Sequence, residues 1–441
     1  MNIYALSSGG GPSGIAIIRL SGDGTKSLSQ LITKQDALSS KNVNLCKFYN
    51  PRNDSLIDEG LLLWFPGPNS FTGEDVAEFH IHGSNAVIAH FLKILSEQED
   101  CRLAEPGEFT KIAFHNNKID LLEAEGIGDL IHSETELQRQ QAIKLVQGNA
   151  SNYYNDLRDK LIKSLAYIEA KIDFAEDDLP EKVLKEVHKS IKGVHNDIKK
   201  IIEDNKIGEK IRDGFRVAIT GEVNAGKSSL LNLLSKREAA IVSDEEGTTR
   251  DVIETFINID GYPVILADTA GIRETNNEVE KKGVALALGK SKEADLNIIV
   301  IDNSTKKIND TIKSLIDKDS IVLLNKSDIA DNQNHKFSAD TILVSIKNNK
   351  NIDRLIKKLK EKLSKKFTSN NNVLVTKERH RVKLNACLKE IDNFLLKDQN
   401  KDIELAAEDL RMATRHLGSI VGNVDVEEIL GSIFKDFCIG K

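Results

Sequence analysis

The 441-residue chain is poor in cysteine, and the few cysteines it has are scattered. Cys46, Cys101, Cys387 and Cys438 include no CxxC pair and do not have the spacing of a structural zinc site. Few, scattered cysteines are typical of proteins in reducing compartments, where disulfides are rare. We therefore predict a cytoplasmic protein without a disulfide framework.

The chain also lacks long apolar runs and an excess of positive charge. No run of about 18 apolar residues occurs, which predicts no membrane span. The first residues, MNIYALSSGGG, do not have the basic and then apolar pattern of an export signal. The formal net charge is −7, so any RNA contact has to be local or shared with a partner protein.

Proline is scarce and unevenly distributed, which divides the chain into regions. Five of the seven prolines lie in the first 110 residues, among short β-rich runs, and this predicts a compact α/β domain over residues 1–117. Helical periodicity dominates residues 118–210, where the stretches 119–146 and 160–176 are predicted as long helices, and it resumes after the region 211–367. The chain has room for about three domains.

The region 211–367 begins with a phosphate-binding loop of the type GxxxxGKS, in the string GEVNAGKSSL. Gly221 and Gly226 allow backbone N–H groups to surround phosphates, Lys227 reaches the β and γ phosphates, and the Ser228 hydroxyl can bind Mg²⁺. A short apolar strand precedes the loop and a helix follows it, as this motif requires. The loop residues predicted to bind nucleotide are Asn224, Ala225, Gly226, Lys227, Ser228 and Ser229.

Two further motifs follow apolar strands and identify the nucleotide as GTP. The DTAG motif places Asp268 where it can hold Mg²⁺ through water, and its neighbours Thr269, Ala270 and Gly271 can sense the γ phosphate. The NKSD motif supplies Asn325, Lys326 and Asp328, and the carboxylate of Asp328 can accept hydrogen bonds from the ring N–H and the amine of guanine. Adenine offers no such pair, so the motif selects guanine.

A switch segment lies between the loop and DTAG. Its residue Thr249 can add a second hydroxyl to Mg²⁺ when the γ phosphate is present. The segment residues predicted to contact nucleotide are Ser243, Asp244, Glu245, Glu246, Gly247, Thr248 and Thr249. Several motifs in this order predict a GTPase domain.

One expected catalytic residue is missing. Many small GTPases have a water-orienting glutamine directly after DTAG, whereas this chain has Ile272, which cannot orient water. Another cation or acid has to replace it, because phosphoryl transfer needs neutralisation of developing charge. The candidates are Arg250, Arg273, Glu278, Glu280 and a monovalent ion near Asn224, and their spacing does not decide among them.

The chain resembles the MnmE (TrmE) family of tRNA modification GTPases along essentially its whole length. The resemblance rests on SFTGEDVAEFHIHG (70–83), the run at 104–131, the nucleotide motifs, DTAGIRETNNEVE and the terminal CIGK (438–441). It implies a multidomain α/β and all-α protein: an N-terminal folate-binding and dimerisation domain (1–117), a discontinuous helical domain (118–210 and 368–441), and an inserted Ras-like P-loop GTPase domain (211–367). Two separate helical domains are the alternative.

The resemblance also implies cofactors and partners. The family acts as a homodimer with a flavin-dependent partner, MnmG, and together they modify C5 of the wobble uridine of certain tRNAs. A K⁺ ion replaces the arginine finger, which implies Asn224, Ser243, Glu245 and Thr248 as its ligands, and Glu280 matches the residue proposed to orient water. A formyl- or methylene-tetrahydrofolate is the further cofactor, for which the matching positions are Arg19, Glu78, Lys118 and Lys441.

Cys438 is a catalytic candidate only through this resemblance, since a cysteine near a chain end is usually inert. His80 and His82 share one face of a strand, but without a third ligand we interpret them as structural.

The chain departs from the family pattern at three places. Glu222 and Val223 stand at loop positions that are commonly basic and proline, and Glu245 and Glu246 replace a more apolar pair. The guanine-contacting segment usually reads SAK or SAR, and Ser345-Ile346-Lys347 is the candidate for it, so Ser345 and Lys347 are predicted to bind GTP.

Two other functions remain open from the sequence. A ribosome-assembly GTPase would have a KH-type GxxG loop or a basic tail after the GTPase domain, and neither is visible after Phe367. A switch protein whose output is partner binding alone would need neither folate nor Cys438.

Overall fold

A computed structural model provides the fold over most of the chain. It describes residues 1–40, 42–173, 181–204, 206–237, 254–268, 289–305, 308–329, 337–367, 374–398, 402–424, 430, 433–434 and 437–440. The chain forms two compact units: unit 1 comprises Met1–Gly128, Lys144–Ile191 and Glu390–Lys441, and unit 2 comprises Asp129–Ile143 and Lys192–Lys389.

Within the described ranges, every helix is too short or too polar to cross a membrane.

Unit 1 begins with a mixed sheet covered by helices. Its described strands are β1 (Asn2–Leu6), β2 (Ser13–Ser21), β3 (Val43–Tyr49), β4 (Leu56–Phe65), β5 (Val76–Gly83) and β6 (Cys101–Leu103), in the order β3-β4-β5-β2-β1-β6. Only β1 and β6 are parallel neighbours. The fully buried rings of Phe48, Phe79 and Phe91 pack on one another with centroids 5.7, 5.7 and 5.0 Å apart. The predicted α/β character of this region is confirmed.

Helices of unit 1 come from both sides of the nucleotide motifs. The sheet carries α1 (Thr25–Thr33), α2 (Asn85–Ser96) and α3 (Glu108–His115). The chain continues with α4 (Leu121–Ile131), then with α5 (Glu136–Val146), which lies mostly in unit 2, and then with α6 (Asn149–Asp173). The helix Ile403–Val421 packs along α6. Both helices bury leucines, among them Leu157 and Leu161 of α6 and Leu410 and Leu417 of the later helix. This packing agrees with a discontinuous helical domain, and the predicted boundaries of the domains stay predictions.

One predicted long helix is wrong: residues 119–146 form two helices. The break has a local cause in a capping box at Thr135 and Gln138. The Thr135 N–H donates to Gln138 Oε1 at 3.1 Å, and the Gln138 N–H donates to Thr135 Oγ1 at 3.4 Å, so α5 begins anew after the turn. The helical periodicity continues across this break, which is why it conceals the turn.

Unit 2 contains a second sheet, which is parallel except at one edge. Its described strands are β7 (Phe215–Gly221), β8 (Glu254–Ile259), β9 (Tyr262–Asp268), β10 (Leu296–Asp302), β11 (Ile321–Asn325) and β12 (Asp340–Leu343), in the order β12-β11-β10-β7-β9-β8. The hairpin of β8 and β9 supplies the single antiparallel pair. The central strands are buried on both faces and read as continuous apolar runs.

The remaining described helices also lie wholly or partly in unit 2. They are α7 (Glu181–Ile202), α8 (Ile207–Asp213), α9 (Lys227–Arg237), α10 (Asp310–Ser314), α11 (Ile352–Phe367) and α12 (Glu378–Leu396), and the helix Ile403–Val421 of unit 1 is α13.

Candidate functional site

The nucleotide motifs meet at one edge of the unit 2 sheet. The strands β7, β9, β10, β11 and β12 run parallel, so their carboxyl ends lie on the same side. The phosphate loop follows β7, Asp268 ends β9 with its backbone opposite Ile219, and Asn325 ends β11. Ligands of open α/β sheets bind at this edge.

The glycines of the phosphate loop are required by close backbone contacts. A Cβ on Gly221 would collide with the carbonyl oxygen of Val300, and a Cβ on Gly226 would collide with the side-chain amide of Asn325. Gly226 has a φ of 104° and Asn224 a φ of 62°, both in the left-handed region. The sequence spacing of the loop therefore reflects a backbone path that most side chains would block.

Lys227 begins α9 and already lies over the loop. Its side chain is 6% exposed, and Nζ donates a hydrogen bond to the carbonyl oxygen of Glu222 at 2.9 Å. The neighbouring Ser228 and Ser229 are exposed in the first turn of α9, and Ala225 is fully buried beneath the loop. The amino end of α9 and the ammonium group together provide positive charge for phosphates.

Asn325 forms hydrogen bonds with two separate segments of the site. It is 4% exposed, its Nδ2 donates to the carbonyl oxygen of Ala225 at 2.8 Å, and its Oδ1 accepts from the N–H of Ile346 at 3.1 Å. The residue thereby links the phosphate loop to the Ser345–Lys347 segment. Sequence motifs mark Asn325, but they do not show these two partners.

Asp328 and Ser345, both predicted to bind GTP, are joined by a hydrogen bond. The Ser345 hydroxyl donates to Asp328 Oδ1 at 2.6 Å, and this hydrogen bond is the main cause that lowers the pKa of Asp328. The carboxylate is therefore ionised at neutral pH and can accept hydrogen bonds from a base. Ser345 is fully buried, so it holds Asp328 from below.

Lys326 is held by an ion pair with Asp302. The distance from Lys326 Nζ to Asp302 Oδ2 is 2.6 Å, and Lys326 has a left-handed φ of 64°. Burial alone would raise the pKa of Asp302, but hydrogen bonds from Lys326 and Ser304 outweigh it and lower the pKa. The pair holds the side chain of Lys326 at the wall of the cavity described next.

The site contains a cavity of about 560 Å³ that is open to solvent. Its lining includes Asn224, Gly226, Ser229, Asn325, Lys326, Asp328, Ile346 and Lys347. The structure therefore brings the phosphate loop, the NKSD motif and the Ser345–Lys347 segment together around one space of nucleotide size.

Other predicted site residues lie outside the described residues. They are Ser243, Asp244, Glu245, Glu246, Gly247, Thr248, Thr249, Arg250, Thr269, Ala270, Gly271, Arg273, Glu278, Glu280 and Lys441.

Glu222, a departure in the phosphate loop, has a contact that the sequence does not suggest. Its Oε1 accepts a hydrogen bond from the backbone N–H of Asn309 at 3.0 Å. The loop is thus tied to the segment that leads into α10.

A second group of predicted residues meets in unit 1. Arg19 on β2 lies directly opposite Glu78 on β5, and its Nε and Nη2 donate to Glu78 Oε1 at 3.0 and 2.8 Å. The Arg19 guanidinium also stands 5.5 Å from the ring centroid of Phe71 and 5.6 Å from that of Phe109. The sequence motifs do not single out these two rings.

The chain end reaches the same place, whereas Lys118 has a different partner. Arg19 Nη1 donates to the carbonyl oxygen of Gly440 at 3.4 Å, and Cys438 is exposed two residues earlier. Lys118 Nζ donates to the carbonyl oxygen of Pro68 at 2.8 Å. His82 Nδ1 and Asp58 Oδ1 are 2.8 Å apart, which gives this histidine a structural partner.

The sheet order, the phosphate loop and the NKSD motif at the end of β11 define a Ras-like P-loop GTPase domain, combined with an N-terminal α/β domain and a helical domain. A family model described as "MnmE helical domain" matches residues 121–438, and one described as "GTP-binding protein TrmE N-terminus" matches residues 2–118. The chain belongs to the MnmE family of tRNA modification GTPases.

Curated relatives named "tRNA modification GTPase MnmE" match the chain over its full length. The protein of Pelagibacter ubique is 54% identical, with 100% of both chains covered. Those of Rickettsia bellii and Parvibaculum lavamentivorans are each 43% identical, with 100% of this chain and 99% of theirs covered. Among solved structures, Aquifex aeolicus Era bound to GDP and AlF4⁻ is 24% identical, with a TM-score of 0.28 over 42% of this chain and 67% of that chain.

Proposed function

We propose that this chain hydrolyses GTP as part of a cytoplasmic complex that modifies C5 of the wobble uridine, U34, of tRNA. The complex adds a (carboxymethyl)aminomethyl group together with the flavin-dependent partner MnmG. The guanine-selective pocket around Asp328 is the observation that carries GTP as the substrate. Full-length similarity to proteins named tRNA modification GTPase supports tRNA as the target.

The chain's own residues give the phosphates their positions. Backbone amides of the loop and the first turn of α9 surround them, and Lys227 exchanges the Glu222 carbonyl oxygen for a phosphate oxygen. Ser228 is exposed at the start of α9, and its hydroxyl suits a hard cation. We assign Mg²⁺ to Ser228 and Thr249, and the bound ion neutralises developing phosphate charge.

We assign K⁺ to a site beside the loop, with Asn224, Ser243, Glu245 and Thr248 as ligands. Asn224 fits this role because its side chain is exposed and lines the nucleotide cavity. Two GTPase domains of a homodimer meet there, and the bound cation supplies the charge that an arginine finger supplies elsewhere. We assign Glu280 to orient the attacking water indirectly.

The modification chemistry belongs to the N-terminal domain. We assign a formyl- or methylene-tetrahydrofolate to Arg19, Glu78, Lys118 and Lys441, with Cys438 as the thiol that takes part. The pairing of Arg19 with Glu78 next to the chain end supports this assignment. A fixed ion pair suits the polar edge of a pterin ring.

Deleting the gene in its host should remove the C5 modification of wobble uridines, as measured by mass spectrometry of tRNA nucleosides. Wild-type protein should restore it, whereas Lys227→Ala should not, because the variant lacks the phosphate-binding ammonium group. An unchanged nucleoside profile after deletion would exclude the proposed role in tRNA.

GTP hydrolysis by the full chain should be at least about tenfold faster in K⁺ than in Na⁺ at equal ionic strength, because the ion replaces an arginine finger. Asn224→Ala should lose the K⁺ advantage and retain GTP binding. Asn117→Ala is the matched control, since Asn117 is an exposed asparagine in unit 1 with a similar left-handed φ of 53°. Equal rates in the two salts would contradict the potassium mechanism and leave guanine binding untouched.

A further inference from the structure

The last residues of the chain are anchored on both sides of Cys438. Before it, Phe437 is 7% exposed, its ring lies 5.6 Å from that of Phe434 and against Gly128, and its Cβ lies near Gly107. The Gly107 N–H donates to the carbonyl oxygen of Cys438 at 3.5 Å. The thiol of Cys438 itself is exposed between the anchors.

The anchor after Cys438 is the carbonyl oxygen of Gly440. It accepts a hydrogen bond from Ser7 Oγ at 2.8 Å, besides the longer one from Arg19. Ile439, between the two anchors, forms an antiparallel bridge with Pro106. The chain end thus lies against the N-terminal domain along four consecutive residues.

The position of Gly440 requires glycine. Its φ is 102°, and a Cβ there would collide with the carbonyl oxygen of Leu6 and approach Ser7 Cα to 2.9 Å. A larger residue would be displaced from this position, and its hydrogen bond with Ser7 would break.

Both donors of this anchor are held in place by other contacts. Ser7 directly follows β1, and its backbone N–H donates to the carbonyl oxygen of Ile17 at 2.8 Å. Arg19 is fixed by Glu78, and the side chains of this pair are 14% and 19% exposed. The donors therefore do not rearrange to follow a moving tail, and they define one position for it.

We propose that Ser7 is a positioning residue for Cys438. Its hydrogen bond to Gly440 holds the chain end, and with it the thiol, beside the Arg19–Glu78 pair. The inference rests on the proposed function of Cys438 in the modification. Ser7 is thereby added to the site, although almost the whole length of the chain separates it from the cysteine. Arg19 has a second role, because it also holds the chain end through its hydrogen bond to Gly440.

Ser7→Ala in the full chain should increase hydrogen exchange of the C-terminal peptide, residues 433–441, about fivefold. One neutral hydrogen bond changes the ratio of docked to undocked tail by about that factor. Wobble-uridine modification should fall as well, whereas kcat and KM for GTP should stay unchanged, because Ser7 lies in unit 1 and the nucleotide residues lie in unit 2. Gly440→Ala should have a larger effect on both peptide exchange and modification.

Ser27→Ala is the matched control. Its hydroxyl also donates to a backbone carbonyl oxygen, that of Gly24 at 2.9 Å, but it is exposed on α1 and should change neither measurement. Unchanged exchange in Ser7→Ala would overturn the clamp, and faster exchange with normal modification would overturn the positioning role. Normal modification in Cys438→Ser would instead refute the proposed function of the cysteine, whereas peptide exchange in Ser7→Ala tests the hydrogen bond to the chain end independently of that function.

Discussion

The Asp328→Asn variant should bind GTP about a hundredfold to ten-thousandfold more weakly than the wild type and should bind XTP instead. Guanine presents two donors, the ring N–H and the amine, and a carboxylate accepts both. An asparagine amide replaces one acceptor by a donor, which faces the guanine amine unfavourably. Xanthine carries a carbonyl oxygen at that position and suits the new donor.

The geometry at Asp328 supports a change of specificity instead of a general loss of binding. Ser345 holds one carboxylate oxygen at 2.6 Å, and the same hydrogen bond is available to the amide oxygen of asparagine. The Asn325 brace between the phosphate loop and Ile346 does not involve Asp328. Phosphate contacts should therefore survive the substitution.

Competition between fluorescent GDP and unlabelled GTP, XTP and ATP measures this prediction directly. Asp319→Asn is the control, because Asp319 is an exposed aspartate of the same unit that is not part of the cavity lining. Unchanged GTP affinity in Asp328→Asn would show that guanine is recognised elsewhere. Equal losses for GTP and XTP would show that the carboxylate serves the loop fold.

The phosphate loop could be predicted in detail because its chemistry is local. Gly221 and Gly226 stand at two positions where a side chain would collide with a neighbouring segment, and Lys227 follows directly at the start of the helix. Strand ends that carry Asp268 and Asn325 could be placed at the same edge, since parallel strands align their carboxyl ends. The motif order was therefore enough for the GTPase fold.

Contacts between distant segments could not be predicted in this way. Glu222 is visible in the sequence only as an unusual charge, and its partner is the backbone of Asn309. Ser7 is an ordinary serine until the fold brings Gly440 to it. No periodicity or motif in the sequence marks either contact. One partner in each is a backbone group, which every residue type has.

The turn between α4 and α5 is an intermediate case. Its signal, Thr135 followed three residues later by Gln138, is present in the sequence. The apolar periodicity on either side of the turn predicts a single helix and outweighs that signal. Capping residues have to be considered together with periodicity when helix ends are predicted.

Arg381→Ala should lower the free energy of unfolding of unit 2 by about 3–5 kcal/mol, because it removes the arginine partner of the buried carboxylate of Glu209. Arg381 is 6% exposed, and its Nε and Nη2 donate to the two oxygens of Glu209, each at 2.7 Å. Nη2 also donates to Asp204 at 2.8 Å, and Nη1 donates to the carbonyl oxygen of Ile202 at 2.7 Å. These contacts, with Glu209 first, raise the pKa of Arg381, so the cation stays charged.

The cluster joins α12 to α8 and to the chain after α7, so its loss should loosen the helical part of unit 2. Urea unfolding of the full chain measures the effect, and the transition that shifts on addition of GDP identifies unit 2. Arg139→Ala is the matched control: Arg139 of unit 2 also donates to both oxygens of one carboxylate, that of Glu136, but its side chain is 52% exposed, and its loss should leave the midpoint unchanged. Equal shifts of the midpoint in both variants would mean that burial of the Arg381 cluster adds nothing to stability. Arg381→Lys keeps the charge without the bidentate geometry, so its midpoint should lie between those of Arg381→Ala and the wild type.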